Sequence, residues 1–186
     1  PSLIGRPVAV GGDGPRAVVS SASYEARRFG VRSAQPVAQA LKSCPSLILV
    51  RPKFEYYSKL SKDVFSVLSE FSPIVEATGI DEGYVDMTGS DSLFGDPEQA
   101  AKKIRSQIKD KTKLTCSIGI GSNKLVAKVA TDRCKPDGML WVRGGTEADF
   151  LAPLEIDKLP GCGKVTSEWL RGHGIKTIAE LQNYPA

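Results

Sequence analysis

Between Phe54 and Trp141 the chain alternates helix-period and strand-period segments in the order α-β-β-α-β-α-β, which leaves few folds open. From Phe54 to Phe71 the apolar residues Leu60, Val64, Val67, Leu68 and Phe71 recur at helical spacing, and Ser72-Pro73 breaks the run. Residues 74–78 and 84–87 read as two mostly apolar strands joined by the tight connection Gly79-Ile80-Asp81-Glu82-Gly83, the signature of a hairpin. Asp96 as N-cap and Pro97 at the first helical position open a helix through Lys109. Residues 114–120 form a strand, Ser122 caps a helix running through Arg133, and residues 139–142 close the set. Two helices over one face of an antiparallel sheet make an α+β arrangement.

The flanks are organised differently. On the N-terminal side, residues 8–10 and 17–20 read as strands around the loop Gly11-Gly12-Asp13-Gly14-Pro15. Ser23 is placed to cap a helix through Phe29 that Gly30 ends, residues 36–42 form a second helix, and residues 47–50 a buried strand. Beyond Gly144-Gly145 the pattern turns helical over 146–151, 164–172 and 177–184. The chain starts at Pro1 rather than Met, so a longer protein is expected around it. No apolar run approaches the ~20 residues that span a bilayer, and no signal sequence opens the chain, so no membrane partner is expected. Cys44, Cys116, Cys134 and Cys162 form no C-x-x-C pair and His173 is the one histidine, so reduced structural cysteines are expected rather than a zinc site. The net charge of +4 is compatible with nucleic-acid binding without requiring it.

Three groups of residues could carry chemistry. Asp81 and Glu82 concentrate negative charge at the hairpin turn, with no cation beside them in sequence. Such a pair suits Mg²⁺, a hard ion that prefers carboxylate and phosphate oxygens, but acids in turns are also ordinary solvated surface. Tyr24 and Arg27 sit three residues apart on one helix face, with Ser20 and Ser21 just upstream; the guanidinium fork suits phosphate. Lys124 and Lys128 share a face of the helix after Ser122-Asn123, and Lys135-Pro136-Asp137-Gly138 adds a lysine from the following turn. A solvated lysine face explains that second cluster equally well.

Taken in order, five strings resemble the Y-family translesion DNA polymerases, and their DinB-like branch most. They are Ser23-Tyr24-Glu25-Ala26-Arg27-Arg28-Phe29-Gly30-Val31-Arg32-Ser33, Ile80-Asp81-Glu82-Gly83-Tyr84-Val85-Asp86, Ser117-Ile118-Gly119-Ile120-Gly121-Ser122-Asn123-Lys124, Lys135-Pro136-Asp137-Gly138 and Leu159-Pro160-Gly161-Cys162-Gly163-Lys164-Val165-Thr166. The resemblance implies a right-hand polymerase core: small fingers over 1–53, a ferredoxin-like palm over 54–142 and the start of a helix-hairpin-helix thumb over 143–186. It implies template-directed, error-prone nucleotidyl transfer from a dNTP to a primer 3′-OH with two Mg²⁺ ions. Asp81 and Glu82 would be palm metal ligands, Asp81 bridging both ions. Tyr24 and Arg27, with Ser21 and Lys135, would bind the incoming nucleotide, and Val18 and Ser20 would form a small roof over the nascent base pair. Gly161, Gly163 and Lys164 would hold the DNA backbone through free N–H groups at a helix start.

Departures from the family pattern carry their own expectations. The family's opening strand, with a further metal-binding Asp and an aromatic that blocks the ribose 2′-OH, aligns before residue 1, and the C-terminal little finger lies beyond the chain. The fragment is therefore expected to be inactive alone, and contact with a sliding clamp is expected only through that C-terminal region. Gly83 stands where the family more often has Ala. The resemblance further implies a cytoplasmic, nucleoid-associated protein. A non-catalytic DNA-binding or protein-interaction module derived from such a polymerase is the alternative, and a nucleotidyl cyclase with a similar palm a more distant one.

Overall fold

Ser23 does more than the sequence asks of it. Its hydroxyl oxygen accepts from the Ala26 N–H at 3.2 Å as the N-cap of α1 (Tyr24–Arg27) and from the Val8 N–H at 3.1 Å, tying that helix to strand β1 (Val8–Gly11). These contacts are seen in a computed structural model that describes residues 2–185; Pro1, where the missing initiator was noted, and Ala186 lie outside the described residues. The chain divides into two compact units, Pro1–Tyr57 and Ser58–Ala186.

In the first unit β1 is the central strand of three, antiparallel to β2 (Val19–Ala22) and parallel to β3 (Ile48–Val50). The helix expected from Pro36 is α2 (Val37–Ser43), and Gly30 ends the α1 segment at φ +82°. Ala9, Val19, Ala26, Val31 and Cys44 fill the core under these elements. Strand β2 starts two residues later than the hydrophobic run suggests, and it is bulged. Val10 pairs with Ser21 while Gly11 pairs with Val19, so Ser20 is an extra residue in the ladder. A bulge breaks the two-residue alternation and re-aims side chains, which is why consecutive Ser20 and Ser21 are both exposed between buried Val19 and Ala22.

Helix α3 (Phe54–Phe71) carries the chain into the second unit with the bounds its periodicity implies. Strands β4 (Val75–Ala77) and β5 (Gly83–Val85) form the antiparallel hairpin, Val75 opposite Val85. A short helix that the sequence reading missed, α4 (Asp91–Phe94), precedes α5 (Pro97–Thr112), and Asp96 and Gln99 complete a reciprocal capping box at the latter's start. Val67 and Phe71 of α3 and Ile104 and Ile108 of α5 share one core cluster, so these two helices pack together.

The α+β class stands, but the single antiparallel sheet needs correction. Strand β6 (Ile118–Ile120) pairs in parallel with β7 (Met139–Trp141), and helix α6 (Lys124–Arg133) connects them. Strands joined through a crossover helix run parallel, whereas a tight turn would have made them antiparallel. This pair forms no ladder with the β4–β5 hairpin among the described residues. The pair also has helices on both sides: Ile118 packs with the α3–α5 cluster, while Leu140 packs with the cluster containing Val126 and Val129 of α6. A second correction concerns the cap of α6. Asn123, not Ser122, accepts from the Val126 N–H at 3.0 Å, and the Ser122 hydroxyl donates instead to Glu147 at 2.6 Å.

Gly119 sets how closely α6 approaches β6. Its N–H donates to Thr131 Oγ1 at 2.8 Å, and a β-carbon there would lie 2.1 Å from the Ala127 carbonyl oxygen and 2.3 Å from the Thr131 nitrogen. Both obstacles are helix backbone, so the helix itself would have to move. Gly119→Ala is expected to destabilise the protein by about 1–3 kcal/mol. Urea denaturation of the variant against the parent checks this.

The remainder is helical: α7 (Glu147–Leu151), a 3-10 turn at Ile156–Lys158, α8 (Lys164–Gly172) and α9 (Ile178–Gln182). These elements share a core with α6 around fully buried Ile156. Among the described residues no helix is long and apolar enough to cross a membrane. The four cysteines are free thiols, and burial pushes those of Cys116 and Cys134 above the ordinary thiol range.

Candidate functional site

The acidic turn is closed on one oxygen. The Glu82 carbonyl accepts from the Thr78 N–H at 3.1 Å, the Gly79 N–H at 3.2 Å and the Thr78 hydroxyl at 3.2 Å. Three donors on one acceptor hold the turn's shape and leave Asp81 at its tip, exposed and without a hydrogen bond or ion pair to any described residue. The hairpin around it is less buried than its apolar residues suggest, with Glu76 and Ala77 exposed.

The cations missing from the local sequence come from α6 and the turn that follows it. Lys128 Nζ lies 2.6 Å from Glu82 Oε1, and Lys135 Nζ lies 3.7 Å from the same oxygen. Lys124 pairs with Glu76 on the hairpin and sits 5.7 Å from the centre of the Tyr84 ring. Asp132 joins the group, 2.8 Å from Lys135 and 3.8 Å from Lys128. Asp132 was not picked out in the sequence, although its spacing of four residues from Lys128 and three from Lys135 was a signal. Asp86, immediately after β5, is already engaged: hydrogen bonds from the Thr88 hydroxyl and N–H hold its carboxyl below the usual range.

Two adjacent exposed carboxylates fit part of a divalent-cation site. Mg²⁺ commonly binds through one or two carboxylates and completes its shell with water and substrate phosphate. No group of three or more His, Cys, Asp or Glu side chains converges as a metal site among the described residues, so Asp81 and Glu82 are a partial ligand set.

In the first unit, Tyr24 and Arg27 face each other as expected, the guanidinium carbon 5.1 Å from the ring centre. Arg27 Nε donates to the Ala22 carbonyl at 3.0 Å, which orients the fork of this exposed residue. Ser20 and Ser21 lie on the bulge, and Val18 is half exposed beside it.

Gly161, at φ +88°, turns the chain between the 3-10 segment and α8. Gly163 is the N-cap of α8 and supplies no side-chain acceptor, so the helix's first N–H groups face solvent uncapped. Lys164 is exposed there, 3.9 Å from Glu168. His173 is the C-cap of α8, its ring stacked on Trp169 at 4.2 Å.

The model of the impB/mucB/samB family matches residues 1–132. The chain belongs to that family. The impB/mucB/samB chain continues into a segment, residues 145–175, that matches the IMS family HHH motif. It is 42% identical over 98% of its length to a DNA polymerase IV of Treponema denticola, covering 46% of that protein. It is 43% identical over 100% of its length to a DNA polymerase IV of Dehalococcoides mccartyi, covering 48%. Among solved structures, DinB from Sulfolobus solfataricus superposes with a TM-score of 0.90 at 32% identity, over 100% of this chain and 55% of that one. An insertion ternary complex of Dbh DNA polymerase superposes with a TM-score of 0.89 at the same 32% identity and the same coverage. The impB/mucB/samB chain thus spans about half the length of the curated relatives it matches.

Proposed function

We propose that this chain is the core of an error-prone DNA polymerase that joins a dNTP to a primer 3′-OH under template direction. The observation that carries the reading is the acidic turn: one carboxylate, Asp81, is exposed and has no partner among the described residues, and the other, Glu82, is held by Lys128 of a neighbouring helix and, at longer range, by Lys135 of the turn that follows it. The likeness to proteins named DNA polymerase IV over nearly the whole chain supports it. Residues 1–53 are the fingers, 54–142 the palm and 143–186 the beginning of the thumb.

Asp81 and Glu82 hold divalent cations, Mg²⁺ in the cell and two in the complete site. Bound there, the ions supply Lewis-acid stabilisation of charge developing on phosphate oxygens. The chain's own groups do the rest. Tyr24, Arg27 and Ser21 hold the nucleotide's phosphates, with Lys135 as a further cation, so that the primer oxygen attacks the α-phosphorus in line as pyrophosphate departs. Val18 and Ser20 are small roof residues over the new base pair, and their size admits bulky damaged templates. The uncapped start of α8, with Gly161, Gly163 and Lys164, holds duplex phosphates without reading sequence. The protein works in the cytoplasm on the nucleoid, and a sliding clamp is reached through sequence beyond residue 186.

Primer extension opposite an abasic site by the intact protein tests this. Extension is expected, and DNA binding without extension would favour a non-catalytic module. Arg27→Ala is expected to raise the nucleotide concentration needed for half-maximal rate by about tenfold, the scale of one charge-assisted hydrogen bond. DNA affinity measured by fluorescence anisotropy should change less than about twofold, because Arg27 acts on the nucleotide alone. Weakened DNA binding with normal nucleotide dependence would reject that role.

A further inference from the structure

Beside the acidic turn, two carboxylates and two ammonium groups alternate around a small ring. Lys128 Nζ lies 2.6 Å from Glu82 Oε1 and 3.8 Å from Asp132 Oδ2. Lys135 Nζ lies 2.8 Å from Asp132 Oδ1 and 3.7 Å from Glu82 Oε1. Each lysine has one near and one far carboxylate, and the near one differs between the two. The function proposed above employs Glu82 and Lys135 but has no use for Asp132. By charge alone, an acid beside a phosphate-binding lysine opposes anion binding, so its presence there requires a different account.

A divalent ion taking the Glu82 carboxylate displaces the Lys128 ammonium, and an ammonium left without a partner beside a second positive charge would oppose that binding. Asp132 stands four residues further along α6, on the same face as Lys128, with its carboxylate already facing the ammonium. The lysine's flexible stem can swing between the two acids, and the side chains are 27% and 50% exposed, so no unpaired charge is buried on the way.

We infer that Asp132 is a positioning residue that receives Lys128 when a divalent cation takes Glu82, so that metal entry exchanges one ion pair for another. This rests on Asp81 and Glu82 being the cation ligands.

Mn²⁺, which favours the same oxygen donors, is the probe; its free concentration is followed by electron paramagnetic resonance in titrations of the intact protein at low ionic strength. Asp132→Asn, which keeps shape and removes charge, is expected to weaken Mn²⁺ binding about three- to fivefold, the scale of one exposed ion pair. Lys128→Met is expected to tighten it by a similar factor. In the Lys128→Met background, Asp132→Asn should change the affinity by less than about twofold, because its effect runs through Lys128. An unchanged affinity in Asp132→Asn alone, or an equal weakening in both backgrounds, overturns the role; the latter would show that Asp132 acts only as a nearby charge. Asp81→Ala separates this result from the function beneath it. If Asp81→Ala leaves Mn²⁺ binding intact, the ligand assignment itself fails. If Asp81→Ala abolishes binding while the Asp132–Lys128 effects simply add, only the Asp132 role fails.

Discussion

Asp81→Ala in the intact protein is expected to slow primer extension at least about a hundredfold, a loss of about 3 kcal/mol of transition-state stabilisation. The magnitude follows from how differently the two adjacent acids are placed. Glu82 is already compensated by Lys128 and more distantly by Lys135, whereas Asp81 has no partner among the described residues and offers its whole charge to an incoming cation. The same isolation means that removing its side chain breaks no hydrogen bond or ion pair among the described residues. The fold should therefore lose no more than about 0.5 kcal/mol, the usual range for a surface substitution. Single-turnover extension and urea denaturation, run on the same preparation, measure the two quantities separately. An unchanged rate would remove Asp81 from the site, and a fall in rate matched by unfolding would show that the turn itself had been damaged.

The second large effect concerns stability. Ile156→Ala is expected to cost about 2–5 kcal/mol, against the roughly 5–15 kcal/mol that holds a typical domain together. Ile156 is fully buried in the 3-10 turn, its N–H donates to the Lys176 carbonyl at 2.8 Å, and its side chain sits among Val126 and Val129 of α6, Leu151, Leu154 and Ile178. Truncation leaves a cavity among four segments that the backbone bond prevents from closing in. Ile156→Val, which removes one methylene, should cost only about 0.5–1.5 kcal/mol. Tryptophan fluorescence during denaturation follows both variants. Similar costs for the two would mean that the site relaxes freely and that the packing there is loose.

Periodicity and punctuation made much of this chain legible in one dimension. The bounds of α3 follow from apolar spacing and the Ser72-Pro73 stop, and Asp96-Pro97 marks the start of α5 because acid and proline each suit that position for local backbone reasons. The hairpin, the Ser23 cap and the Gly163-Lys164 helix start were readable on the same terms. Where the local signal was shared, the reading slipped: Ser122 and Asn123 are both good capping residues, and only the position of Glu147 decided which hydroxyl or amide turned back on the helix.

The sequence by itself determined most of the helices and strands, though not the short α4, and which residue types could meet a phosphate or a divalent cation, because both depend on local spacing and on side-chain chemistry. Only the tertiary structure decided that β6 and β7 run parallel, that a bulge turns Ser20 and Ser21 outward together, and that lysines 46 residues and more along the chain meet Glu82 while Asp81 has no partner among the described residues. These are relations between distant segments. They depend on a crossover helix, on ladder register and on a glycine that lets α6 close on β6, and none of them leaves a periodic trace in the chain.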